Sequence, residues 1–282
     1  MVWIWQDCES MKRFFTLLLV AMLPVAASAQ SLPLRSPSEG LPFKGGEKFT
    51  YKLHYKLGII NSDVASASIS VDSTTYAGKK AYSARIFGQT AKFYDTFFKV
   101  REDFRSTFDA SMTPLHFYRD TREGGWYCKN DVKYNWASSS VNFTLENSNT
   151  PEPTTSVIPI KPGTCDITSM VFMMRNVDVA SLEQGKTYIG TMMLDGEVFT
   201  MSMTYTGLKN YKDKLLGTVE VIRFAVRLNA GETFDTKEDL VFLFTNDENR
   251  IPVSFEAPFK FGAVSGRLLS CVGLKNPNIY NN

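Results

Sequence analysis

The sequence predicts an all-β protein: a large antiparallel sheet system, arranged as a barrel, an opened barrel or a sandwich, with one short helix near residues 166–177. Three observations predict it. Apolar and polar residues alternate with period two in segment after segment, which dries one face of an extended strand and wets the other. Turn-forming Gly, Asn, Asp and Pro break these segments at strand length. A helical apolar repeat stands out in one place only.

In chain order, the first strand covers Glu47 to Lys56, where Phe49, Tyr51, Leu53 and Tyr55 share one face and Lys48, Thr50, Lys52, His54 and Lys56 the other. Ala65, Ala67, Ile69 and Val71 then alternate with serines, and Val141, Phe143 and Leu145 with Asn142 and Thr144. Thr150 to Pro162 holds four prolines in thirteen residues and is read as a connector, leaving one continuous sheet or two lobes joined near 150–162 both open. The helix is expected over Asp166 to Val177: Asp166 or Thr168 caps it, and Ile167, Met170, Val171 and Met174 recur at helical spacing. Asp195-Gly196 is a tight-turn pair, followed by alternating Phe199, Met201, Met203 and Tyr205. Val219 to Leu228, Asp239 to Thr245 and Val264 to Val272 supply further strands. About a dozen strands against one helix exclude the α and α/β classes.

The ends of the chain carry a different signal. Lys12-Arg13, the apolar run Phe14 to Ala27 and the small-residue site Ala27-Ser28-Ala29 make the three regions of a secretory signal, with translation expected to start at Met11 and the mature chain at Gln30. The apolar run is shorter than the roughly 20 residues of a membrane-spanning helix, so no transmembrane anchor is expected in the mature chain. Residues 30–42 read as a flexible arm, 43–274 as the β-rich domain and 275–282 as a tail.

Charge and chemistry narrow the function classes. With 31 Lys and Arg against 29 Asp and Glu, the net charge of +2 argues against nucleic acid, which demands a concentrated basic face. The exported part keeps Cys128, Cys165 and Cys271, an odd number whose wide spacing fits no compact zinc pattern, and no metal or cofactor is implied. His54 and His116 are the only histidines, and no nucleophile elbow or phosphate-binding glycine loop is present. Carboxylate pairs occur at Glu102-Asp103, Glu238-Asp239 and Asp247-Glu248, with Asp235 beside them; neighbours on a strand face opposite ways, so Glu102 and Asp103 cannot share a site unless the strand bulges there. Aromatic crowding is the remaining signal: twelve aromatic residues lie between Phe93 and Trp136. Trp126, Tyr127 and Trp136, around the flexible Gly124-Gly125 pair, are the candidate ligand-binding residues.

Four stretches, Phe43 to Tyr51 (FKGGEKFTY), Val100 to Pro114, Asp166 to Arg175 and Phe244 to Val253 (FTNDENRIPV), resemble an exported bacterial family of unknown function, domain-of-unknown-function family 3108 (DUF3108). The resemblance implies a β-rich fold and an envelope location, in the periplasm or on the outer cell surface, and carries no reaction with it. Within those stretches Asp103, Arg175, Asp247 and Arg250 are read as a structural clasp, because an Arg in the last turn of a helix reaches free carbonyls or a carboxylate on a neighbouring strand. Three readings follow. The first is non-catalytic binding of an apolar or amphiphilic ligand or a partner protein, with lipid, glycan or envelope protein as the partner classes. The others are a carbohydrate-active hydrolase using paired carboxylates, and a structural or assembly protein without a small ligand.

Overall fold

The structure, a computed structural model, describes residues 30–228, 240–259 and 262–277; the signal segment, the tail beyond 277 and the acids Asp235, Glu238 and Asp239 lie outside them. Among the described residues, fifteen strands form a single sheet. The first eight, β1 (Glu47–Leu57), β2 (Ile60–Tyr76), β3 (Lys79–Thr90), β4 (Val100–Phe108), β5 (Pro114–Glu123), β6 (Trp126–Asn135), β7 (Ser140–Asn147) and β8 (Thr150–Pro159), run as an antiparallel meander. After the two-residue β9 (Thr164–Cys165), the strands β10 (Thr187–Leu194), β11 (Glu197–Asp213), β12 (Gly217–Leu228), β13 (Leu240–Thr245), β14 (Pro252–Phe259) and β15 (Gly262–Val272) form a second meander. The two meet where β15 pairs antiparallel with β1. The sheet therefore has β8 and β9 as its two edges and does not close. Of the expected arrangements, the opened barrel is the one found.

The predicted face of β1 is buried as its alternation requires: Phe49 and Tyr51 are 1% exposed while Lys48 lies in solvent. The same parity puts Glu47 inside, a consequence taken up below. A short helix, α1 (Lys92–Asp95), bridges β3 and β4, and a second, α2 (Ile167–Arg175), matches the predicted one. Asp166 starts α2 with a reciprocal cap: its Oδ1 accepts the amides of Thr168 and Ser169 at 3.0 and 2.8 Å, and Ser169 Oγ accepts the amide of Asp166 at 3.0 Å. Asp166 Oδ2 also accepts the Ser106 hydroxyl of β4 at 2.8 Å, which ties the helix start to the sheet.

Seven of the nine residues of α2 are buried, so the helix is a plug inside the curled sheet rather than a surface element. Phe172 lies edge-on to Phe43 at 5.0 Å and against Phe108 at 5.4 Å, and the inner positions of β10 to β12, among them Met192, Met201, Met203, Val221 and Phe224, complete this core. Truncating a fully buried Phe such as Phe172 removes about 3–5 kcal/mol, most of a domain's net margin.

Thr150 to Pro162 is not the connector its prolines suggested: Thr150–Pro159 is the edge strand β8, paired with β7. Pro151, Pro153 and Pro159 share one parity, so the missing amides fall along one side of the strand and β7 pairs through the other. An edge strand with so many prolines also resists adding a further strand. No disulfide links Cys128, Cys165 and Cys271 to one another.

Candidate functional site

Three rows of inward side chains cross β4, β5 and β6 toward one end of the curl. The register aligns Phe104 with Arg119 and Asn130, then Glu102 with Thr121 and Cys128, and finally Val100 with Glu123 and Trp126 nearest the rim. Apolar residues line the first strands of this inner face, and here polar ones replace them. Arg119 is 6% exposed, and its Nε donates to Thr121 Oγ1 at 2.7 Å. Thr121 Oγ1 donates in turn to Glu102 Oε2 at 2.6 Å.

The second meander closes over this network. Asp195, at the β10–β11 turn, accepts from Arg119 Nη1 and, at 3.0 Å, from Asn130 Nδ2. The adjoining Gly196, with φ +83°, packs so closely on β7 that a Cβ there would lie 3.0 Å from the Phe143 ring. Only glycine meets both demands. The tip of the hairpin thus fastens the open side of the sheet at this end.

Burial sets the electrostatics. It opposes the charge on Arg119, but Asp195 and Glu102 outweigh it and hold the guanidinium above its ordinary value. Burial raises Glu102 despite its bond from Thr121 and the nearby Arg119. Glu123 is pushed up to about 7 by burial, with the Glu102 charge adding to the effect and Arg119 opposing it. Beside Glu123, the indole Nε1 of Trp126 is buried with no hydrogen-bond acceptor among the described residues. An indole donor in such a place ordinarily finds a partner.

Of the three candidate ligand-binding residues, Trp126 alone lines this mouth. Tyr127 points to the outer face, its ring 5.2 Å from Lys129 Nζ. Trp136 lies just beyond the far end of β6, about 30 Å away at strand rise. There it stacks on Tyr134 at 5.6 Å and donates from Nε1 to the Pro114 carbonyl at 2.6 Å. The mouth is completed by residues the sequence reading did not single out as a group, Glu102, Arg119, Thr121, Glu123, Asn130 and Asp195. Their shared parity on adjacent strands is the signal that marks them, once the pairing of the strands is known.

The four clasp residues divide between two places. Asp103 sits on the outer face, bridged by Arg85 at 2.7 Å and Arg105 at 2.6 Å, away from Glu102, as the alternation demands. The other three meet at the opposite end of the curl. Arg175 is fully buried, donates from Nε to the Arg250 carbonyl at 3.0 Å and from Nη2 to the Asn249 carbonyl at 2.8 Å, and lies 5.1–5.3 Å from the rings of Phe43, Phe49 and Phe172. Asp247 shapes that loop by accepting the amides of Asn249 and Arg250, and Arg250 Nη1 reaches Asn246 Oδ1 at 2.7 Å. The carboxylate partner of Arg175 is Glu47, at 2.6 Å and equally enclosed. The clasp therefore forms without Asp103, and Glu47 takes its place because it shares the inward parity of Phe49 and Tyr51.

The two histidines pair with acids, His54 with Asp63 at 2.9 Å and His116 with Asp131 at 3.2 Å. No helix among the described residues is long and apolar enough to cross a membrane.

The family described as Protein of unknown function (DUF3108) matches residues 50–268. No curated protein matches the sequence. Among solved structures, the chain is similar to a β-barrel-like protein of domain of unknown function DUF1849 from Brucella abortus, with a TM-score of 0.52 and 11% identity over 80% of this chain and 96% of that one. A protein described as a putative lipoprotein from Parabacteroides distasonis superposes with a TM-score of 0.34 and 10% identity, over 82% of this chain and 97% of that one.

Proposed function

The chain belongs to the DUF3108 family, which is defined by sequence and not by a reaction, and from that premise we propose that it is an exported cell-envelope protein that binds an amphiphilic ligand, without chemistry, at the mouth lined by β4, β5 and β6. The observation that carries the reading is the buried, unpartnered indole donor of Trp126 beside a carboxyl group that titrates near 7. A ligand oxygen, from an ester or a sugar hydroxyl, satisfies the indole. Glu123 then donates a hydrogen bond when protonated or accepts one when ionised. The apolar part has Phe104 on the inner face and Phe98 at the rim, where Phe98 covers Gly124. The secretory-signal pattern from Met11 to Gln30 supports export, and with it a location in the periplasm or on the outer surface.

The test uses intrinsic fluorescence of the chain starting at Gln30, whose tryptophans are Trp126 and Trp136. In a Trp136→Phe background, dodecyl maltoside or lysophosphatidylglycerol, titrated below micelle-forming concentration, produces a saturable change at Trp126 that weakens in Glu123→Ala. A response that fails to saturate, or that Glu123→Ala leaves unchanged, overturns the reading.

One observation favours the hydrolase alternative. Glu102 and Glu123 are diagonal neighbours on paired strands, their backbone positions about 7–8 Å apart, so their carboxyl groups can face one another as those of a glycosidase do. Against it, Glu102 is engaged by Thr121 and lies close to Arg119, a structural commitment. Turnover of nitrophenyl glycosides that disappears in both Glu102→Gln and Glu123→Gln would replace the binding reading with this one.

A further inference from the structure

The rim that carries the mouth also carries a group of exposed large apolar side chains. Ile59, at the β1–β2 turn, is 102% exposed, and Phe93, Phe97 and Phe98, between β3 and β4, are 67%, 74% and 52% exposed. Exposed single apolar residues are ordinary, but three phenylalanines within six positions on one short loop are not. The loop is held in this pose rather than left loose. Tyr94 Oη bonds Ser62 of β2 at 2.8 Å, the Ala91 amide donates to the Val64 carbonyl at 2.9 Å, and Phe98 rests on Gly124, whose φ of +59° and bare Cα leave room for the ring. Phe93 meets Phe97 edge-on at 5.5 Å, so the rings form one cluster.

Charge is sorted around this cluster. Lys92 and Lys99 bracket it and Lys56 lies at the neighbouring turn, all exposed. The acid inside the loop, Asp95, is bound by Arg101 at 2.5 Å and by the Thr90 hydroxyl, and Asp63 on β2 is held by His54 and Arg267. Aromatic tips with cationic flanks, with Asp95 and Asp63 both paired and Glu123 on the inward face, match the boundary of an anionic bilayer, where rings enter the acyl region and lysines meet the headgroups. A protein partner fits less well, because binding hot spots sit in enclosed pockets, whereas Ile59, Phe93 and Phe97 stand about two thirds or more exposed.

We propose that the rim formed by Ile59, Phe93, Phe97 and Phe98, flanked by Lys56, Lys92 and Lys99, docks the protein onto an anionic lipid bilayer. This inference rests on exposure and charge and stands independently of ligand binding at Trp126. If both hold, the mouth faces the membrane from which an amphiphile is drawn.

Flotation of the chain starting at Gln30 with vesicles of equimolar phosphatidylglycerol and phosphatidylcholine tests it. The wild type floats with these vesicles and is released by salt. Phe93→Ser/Phe97→Ser/Phe98→Ser lowers the partition at least about tenfold, and Lys92→Gln and Lys99→Gln each lower it about fivefold. Leu215→Ser, exposed on the opposite rim, leaves it unchanged. Phe93→Ser/Phe97→Ser, which spares the contact with Gly124, guards against misfolding and still loses most of the partition. Trp126→Phe leaves flotation intact, which separates this proposal from the ligand reading. Absence of flotation, equal flotation of the triple variant, or equal binding to pure phosphatidylcholine overturns the proposal. So does a dimer that the triple variant dissociates without any vesicle binding, which would make the patch a contact between two copies.

Discussion

The buried pair Arg175–Glu47 offers the sharpest test of how the plug is held. Arg175→Met keeps the volume and removes two charge-assisted hydrogen bonds to the carbonyls of Asn249 and Arg250, each worth about 1.5–3 kcal/mol. It also strips Glu47 of its cation. The approach of Arg175 Nη1 to Glu47 Oε1 is an ion pair rather than an aligned hydrogen bond, and neither carboxylate oxygen has a hydrogen-bond donor among the described residues. Breaking one side of such a pair costs about 3–5 kcal/mol, so we expect about 5 for Arg175→Met and about 3 for Glu47→Gln. Addition would give about 8 kcal/mol for the double variant, but the double variant has no orphaned charge left to bury, so about 5 is expected, an interaction of about 3 kcal/mol. The pH dependence has a definite sign. Burial raises the Glu47 carboxyl above its ordinary value and Arg175 opposes the rise. A carboxyl raised on folding supports the native state below its unfolded pKa, and that support fades as pH climbs through the folded value. Removing Arg175 enlarges the rise, so the Arg175→Met deficit is smaller at pH 5 than at pH 8. Urea unfolding followed by circular dichroism at both pH values measures all of this. Single-variant losses that add within about 0.5 kcal/mol, or a deficit that shrinks as pH rises, would refute the assignment.

Four further outcomes follow from the same coordinates. Asp166, raised to about 6 by burial despite the three hydrogen bonds its carboxylate accepts, caps α2; Asp166→Ala should cost about 3 kcal/mol and Asp166→Asn about 1, read from denaturant midpoints. Because its folded pKa lies above the ordinary carboxylate value, its contribution wanes as pH rises through about 6, and Asp166→Asn should flatten stability between pH 4 and 7. Carbon-13 NMR of the glutamate carboxyls should show Glu123 titrating with a midpoint near 7, shifted downward in Glu102→Gln, which removes the neighbouring charge. Asp195→Ala should expose the β10–β11 hairpin and the ends of β5 and β6 to faster hydrogen exchange while α2 stays protected; uniform acceleration would count against a local fastening. Thiol titration of the native chain should modify Cys271 slowly, since burial and the carboxylates of Glu47 and Asp213 raise its pKa, and reach the buried Cys128 and Cys165 only on unfolding.

Strands were legible wherever one face is wet and the other dry, because a period of two then has to appear in the residues. Phe49 and Tyr51, Val141 and Phe143, and Met201 and Met203 all lie where their alternation put them. The helix was legible from Asp166 and the spacing of Met170, Val171 and Met174, although its place inside the sheet was not. β8 was missed because an edge strand exposed on both faces has no dry side to mark it, and its prolines, harmless along a free edge, read as breaks. The order of the strands was beyond reach, and the site depended on it. Glu102, Thr121 and Cys128 become neighbours only once β4, β5 and β6 are known to pair in that register. The aromatic crowding from Phe93 to Trp136 was visible but mixed three situations. Phe108 and Phe117 fill the interior, Phe93, Phe97 and Phe98 project from a loop where no periodicity applies, and Trp126 lines the mouth.

An opened barrel must hold its curl by something other than the ladder that closes a true barrel, and the two ends of this one use different means. At the end near Arg175, the plug is packed on all sides by aromatic and methionine side chains and fixed by an enclosed ion pair. Across the gap between the meanders, Met193 and Val198 pack with Phe117, Val132 and Phe143, and toward the mouth Asp195, on a hairpin tip, adds a polar bridge with Arg119 and Asn130 as its partners. A polar bridge at a hairpin tip gives way at lower free energy than a packed core, so we expect local opening to start at that tip and to leave the plug in place, which the hydrogen-exchange pattern of Asp195→Ala tests. Glu123, Trp126 and the aromatic rim all belong to that end, so a ligand bound there as proposed would leave the plug that keeps the sheet folded undisturbed.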